Sequence, residues 1–114
     1  MKKLITLLAC GVVSINAFAA GSIASGEALA KKYSCAACHG ADYNKPIDPS
    51  YPKLAGQYAD YLAHALVAYK RGDGPYGRNN AIMGGQVKPL SDKDIVDIAA
   101  YLGSLPAGMT VGRR

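Results

Sequence analysis

Apolar positions recur at helical spacing in three separated stretches of this chain, with polar and Gly/Pro-rich segments between them. The first stretch runs from about Ser25 to Tyr33. Ser25 is a candidate N-cap, and Glu27 near the start suits the helix dipole. Ala28, Leu29 and Lys32 follow at helical spacing. The second runs from roughly Gln57 to Arg71, where Tyr58, Leu62, Ala65, Leu66 and Tyr69 form one apolar stripe. Gly72 and Gly74 end it. The third begins at Ser91, which pairs with Asp94 in a capping box with Asp in place of the usual Glu. Ile95, Ile98, Ala99 and Leu102 make its buried face, and Gly103 and Pro106 mark its end. Beyond Pro106 a loose tail is expected.

The connections support this reading. Pro46, Pro49 and Pro52 break any helix between Ala41 and Ala55. The segment from Asp73 to Leu90 carries Gly74, Pro75, Gly77, Gly84, Gly85 and Pro89, and is expected to be a loop. No convincing strand pattern, internal repeat or interdomain linker is present, so an all-α domain is expected.

One further apolar run, Leu4 to Phe18, follows Lys2 and Lys3 and precedes the small–x–small pattern Ala17-Phe18-Ala19. That order predicts a secretory signal over residues 1–19 and a mature domain over 20–114, exported to the periplasm. The run is too short and interrupted for a membrane span, so no stable membrane insertion is expected. A lipoprotein signal ending at Cys10 is the competing reading, but only six apolar residues, Leu4 to Ala9, precede that cysteine. Loss of residues 1–19 from the 114-residue chain leaves 95, enough for one small domain whose own apolar core is limited. Formal net charge falls from +5 to +3 once Lys2 and Lys3 are gone. No basic run with interleaved aromatics accompanies that charge, so a nucleic-acid partner is not expected.

The chemistry lies in Cys35-Ala36-Ala37-Cys38-His39, a C-x-x-C-H sequence. Two thiols at this spacing can each add to one vinyl group on the same edge of a porphyrin. The next residue then brings an imidazole under the ring, toward the iron. This is the attachment signature of a c-type haem. A redox-active disulfide uses a similar pair, but beside a strand–helix–strand pattern that is missing here. A zinc site needs four ligands, and beyond these three residues the chain offers only His64 outside the signal.

With His39 as one axial ligand, the candidates for the other are Met83, Met109 and His64. Met83 lies in Ile82-Met83-Gly84-Gly85, where glycines let a loop pass close to a porphyrin face. Met109 lies in the tail, and His64 sits beside the apolar stripe rather than on it. Met83 is therefore the expected ligand, with a thioether that favours ferrous iron and raises the reduction potential. A ligating histidine usually donates its other ring N–H to a carbonyl, and one near Pro52 is the candidate. Tyr58, Tyr61 and Arg78 are candidates to pair with the haem propionates.

The segments CAACHG at 35–40, YPKLAGQ at 51–57, YL at 61–62, IMGG at 82–85 and LSDKDIVDIAAYLGSL at 90–105 occur in an order that resembles the class I c-type cytochromes. Among these it resembles the small bacterial periplasmic members, and one half of the dihaem ones. The resemblance implies a class I cytochrome c fold: three main helices, with loops wrapped around one covalently bound haem. It implies that the first and last helices cross, with Gly26 and Leu29 facing Tyr101 and Leu102. It implies Met83 as the distal ligand and Pro52 as the carbonyl partner of His39. It also implies a soluble, monomeric electron carrier between membrane-bound or soluble redox partners, and not an enzyme. A haem-bearing subunit of a larger oxidoreductase and a haem-based ligand sensor are the alternatives. Ala65 departs from the family pattern, which often has Gln there. The single C-x-x-C-H in the sequence corresponds to one haem rather than two.

Overall fold

A computed structural model describes residues 21–108, which form five helices and, among the described residues, no strand. In chain order they are α1 (Ile23–Lys32), α2 (Ala36–His39), α3 (Ala59–Arg71), α4 (Ala81–Val87) and α5 (Asp92–Ser104). The expected signal, Cys10 and Met109 lie outside the described residues.

α5 and α1 start where side chains satisfy their first N–H groups. Ser91 Oγ accepts from Asp94 N–H at 3.1 Å, while Asp94 Oδ2 accepts from Ser91 N–H at 3.0 Å, completing the expected capping box. For α1 the cap is Ser22, not Ser25: Ser22 Oγ accepts from Ser25 N–H at 3.2 Å. A Ser at either position can cap, and the docking of Ser22 on α5 decides between them. α3 begins at Ala59 rather than Gln57, and Tyr58, the first residue of the expected stripe, is 88% exposed at its N-cap.

α1 crosses α5, and α3 packs on both α5 and α4. The crossing is close because Gly26 has no side chain: a Cβ there would lie 2.8 Å from Tyr101 Cβ and 1.9 Å from the Asp97 carbonyl oxygen. Asp97 fastens the same crossing. Its buried carboxylate accepts from Ser22 N–H at 2.8 Å and from Lys93 Nζ at 2.6 Å. Those bonds hold the carboxyl below its ordinary pKa, Lys93 contributing most. The expected face of α5, Ile95, Ile98, Ala99 and Leu102, is buried together with Ala30, Leu62, Val87 and Leu90.

The long connection from α2 to α3 is tied down at several points. Gly40, at φ +93°, turns the chain away from α2. Ile47 N–H donates to the Cys38 carbonyl at 3.0 Å. Tyr43 is buried edge-on against Tyr101, ring centroids 6.1 Å apart, and its carbonyl accepts from Leu54 N–H. The start of the tail is also held: Asn44 donates to the Pro106 carbonyl at 3.1 Å and accepts from Gly108 N–H at 2.8 Å.

The clearest departure from expectation is α4, in the segment read as a loop. Asn80 caps it, its Oδ1 accepting from Met83 N–H at 2.9 Å. Gly84 and Gly85 lower its intrinsic helix preference, but Val87 packs into the core and carries the turn with it.

Candidate haem site

The site grows out of the end of α1. Ser34 takes a left-handed conformation, φ 54°, and Cys35 N–H returns to the Ala30 carbonyl at 3.1 Å. The chain then makes the single turn of α2. Residues three apart share a helix face, so this turn sets Cys35 and Cys38 side by side and delivers His39 directly after them. Both thiols are half-buried, and burial pushes the Cys35 thiol above its ordinary pKa. A thiol–disulfide exchanger needs the opposite shift, so the burial of Cys35 weighs against that reading.

His39 is 6% exposed, and its Nδ1 lies 2.8 Å from the Pro52 carbonyl oxygen. A carbonyl only accepts, so Nδ1 carries the proton and Nε2 is left with a free lone pair. The Tyr51 ring stands 6.3 Å from the imidazole, centroid to centroid.

Cys35, Cys38, His39 and Met83 line one cleft of about 200 Å³. Its walls include Leu54, Leu66, Val87, Leu90, Ile98 and Leu102. An adjoining cavity of about 80 Å³ shares His39 and Met83, and adds Pro52, Gln57, Tyr61, Tyr69 and Arg78. Of the other candidates, His64 is exposed on α3 and lines neither cavity. Tyr58 also stays outside both. Tyr61 and Arg78 border the smaller cavity, with Arg78 Nη2 donating to Tyr61 Oη at 3.4 Å. Tyr69 borders it as well, although its place on the apolar stripe of α3 marks it in the sequence only as a packing position.

Two thiols, an imidazole nitrogen with a free lone pair and a thioether meet across an apolar cleft. That donor set fits an apolar macrocycle held by two thioether bonds and an iron taking one nitrogen and one sulfur ligand. The class defined by this fold and site is a haem protein with covalent attachment.

Comparison with known proteins makes the class specific. The cytochrome c family matches residues 23–106. Cytochrome c4 of Stutzerimonas stutzeri is 43% identical over 108 residues, covering 90% of this chain and 50% of that protein. Cytochrome c-554(548) of Halomonas halodenitrificans is 46% identical over 85 residues, covering 75% of this chain and 98% of that protein. The crystal structure of reduced recombinant cytochrome c4 from Pseudomonas stutzeri superimposes with a TM-score of 0.66 at 41% identity, over 78% of this chain and 48% of that one. The chain thus spans about half the length of its cytochrome c4 relatives and nearly all of the shorter c-554(548). It belongs to the cytochrome c family, has the class I fold, and carries one attachment motif for one haem c.

Proposed function

We propose that this protein is a periplasmic single-haem electron carrier, with His39 and Met83 as the axial ligands. The observation that carries the reading is the bond from His39 Nδ1–H to the Pro52 carbonyl at 2.8 Å. It holds the imidazole in the tautomer whose Nε2 can ligate iron, within a cleft that Met83 also lines. Haem c bound there supplies a one-electron ferric/ferrous couple. Cys35 and Cys38 would anchor it through thioether bonds. The Pro52 carbonyl keeps the imidazole oriented and makes it a stronger donor. Leu54, Leu66, Ile98 and Leu102 exclude water, which favours the less charged ferrous state. Were His39 and Met83 both to hold the iron, this chain's own side chains would satisfy it and leave no place for substrate, which suits a carrier rather than an enzyme.

Partners are redox proteins, membrane-bound or soluble, engaged through small transient contacts. No helix among the described residues is long and apolar enough to cross a membrane. Export rests on the N-terminal pattern of Lys2, Lys3, the apolar run and Ala17-Phe18-Ala19.

The test is an optical spectrum of the protein matured in cells that attach c-type haem. The oxidised protein should show the far-red sulfur-to-iron charge-transfer band. Met83→Ala should abolish that band and let the reduced protein bind carbon monoxide. A band that survives in Met83→Ala would assign the sulfur ligand elsewhere.

A further inference from the structure

Met83 rides on α4, which is only seven residues long and contains two glycines. A helix this short does not hold itself in place, so its position depends on what fastens its ends. The C-terminal end is well anchored. Val87 and Leu90 are buried, and Lys70 Nζ donates to the Leu90 carbonyl. The N-terminal end has no such anchor: residues 78–82 are all exposed, Ile82 by 56%.

Asn79 Nδ2 donates to Asp73 Oδ1 at 3.0 Å within the preceding loop, and Arg78 fastens that end to α3. Its N–H donates to the Ala68 carbonyl on α3 at 2.8 Å. Its guanidinium carbon stands 5.4 Å from the Tyr69 ring centroid and 5.9 Å from that of Tyr61. Its Nη2 also donates to Tyr61 Oη at 3.4 Å. A planar guanidinium can face two rings and donate at its edge together, which an ammonium cannot do as well. The three side chains border the cavity that His39 and Met83 also line.

We propose that Arg78 is a positioning residue for Met83: held by Tyr61 and Tyr69, it clips the start of α4 to α3 and keeps the thioether at the cleft. The proposal rests on the reading of Met83 as axial ligand. On this view Arg78 acts through the helix it fastens, and the loss of its charge alone is not what matters.

The experiment measures the ferric holoprotein by its far-red charge-transfer band and by the affinity of free imidazole, which competes with the thioether. Arg78→Gln should bind imidazole about five- to thirtyfold more tightly, given the usual strength of two exposed cation–ring contacts. Arg78→Lys should fall between Gln and wild type. Arg71→Gln removes the same charge from the exposed end of α3 and should match wild type. Equal effects in Arg71→Gln and Arg78→Gln would make net charge the cause and overturn the proposal. Met83→Ala, measured in parallel, separates the two layers. If the band persists there, the ligand reading fails. If it vanishes there while Arg78→Gln behaves as wild type, the clip alone fails. Should Arg78→Gln yield no holoprotein, Tyr69→Leu removes one ring and leaves the arginine. Tighter imidazole binding in that variant supports the clip, and unchanged binding overturns it.

Discussion

Gly26→Ala tests the helix crossing on which the whole site stands. The added Cβ would lie 1.9 Å from the Asp97 carbonyl oxygen, 2.5 Å from its carbonyl carbon and 2.8 Å from Tyr101 Cβ. Ordinary C···O contacts begin near 3.3 Å, so the helices must part by roughly 1 Å or more. The obstacle is backbone inside α5, which cannot swing aside as a side chain would. Replacing Gly by Ala in a helix is worth about 1 kcal/mol in the opposite direction. Overpacking of this severity costs about 1–3 kcal/mol, with more expected where backbone must move. The net effect should be a loss of about 1–2 kcal/mol, or a Tm lower by roughly 5–15 °C in a domain of this size. Thermal unfolding of the holoprotein, followed by far-ultraviolet circular dichroism, reads this directly. Ser25→Ala, at the exposed neighbouring position of the same helix, is the control. It keeps the backbone N–H that Ser22 Oγ caps and improves helix propensity, so it should not lower Tm. Truncating Tyr101 to Ala leaves both the Asp97 carbonyl and the Cβ in place, so it should not rescue Gly26→Ala. A Tm for Gly26→Ala equal to or above wild type would refute the close-approach argument.

Two further predictions concern pH. The Asp97 carboxyl is held below its ordinary pKa by Lys93 and Ser22 N–H, so its stabilisation is present above the unfolded value, near 3.9, and is lost as pH falls through the folded one. Asp97→Asn should therefore lower stability at neutral pH and weaken the acid-side dependence, as read by urea unfolding at several pH values; an unchanged acid limb would count against this role. Burial pushes the Tyr43 hydroxyl up to about 12, so its contribution is present below the unfolded pKa of about 10 and is lost as pH rises from there to about 12. Tyr43→Phe should remove that alkaline loss, and the same loss persisting in Tyr43→Phe would assign it to another group.

The sequence by itself determined the parts whose physics is local. The order Cys35, Cys38, His39 specifies attachment chemistry wherever the chain places it. Ser91 and Asp94 cap α5 through neighbours three residues apart, and Ile95, Ile98, Ala99 and Leu102 repeat at helical spacing, so both features were legible and both are present. Proline spacing marked the segment that carries Pro52, and the family resemblance pointed to its carbonyl, now found beside His39 Nδ1. Other features depend on partners far away in the chain. Asp97 looks like one more polar position on an exposed helix face, yet it is buried where the start of α1 packs on α5, and there it accepts from Ser22 N–H, 75 residues earlier. The same docking moved the start of α1 from Ser25 to Ser22. Gly84 and Gly85 read as loop because propensity favours neither in a helix. Capping by Asn80 and burial of Val87 and Leu90 supply what propensity withholds. Arg78 carries no local sign of its role either, since Tyr61, Tyr69 and the Ala68 carbonyl meet it only when α3 lies alongside. Short-range periodicity and capping are written residue by residue, whereas the close crossing at Gly26 and the fastening of α4 exist only after distant segments have packed.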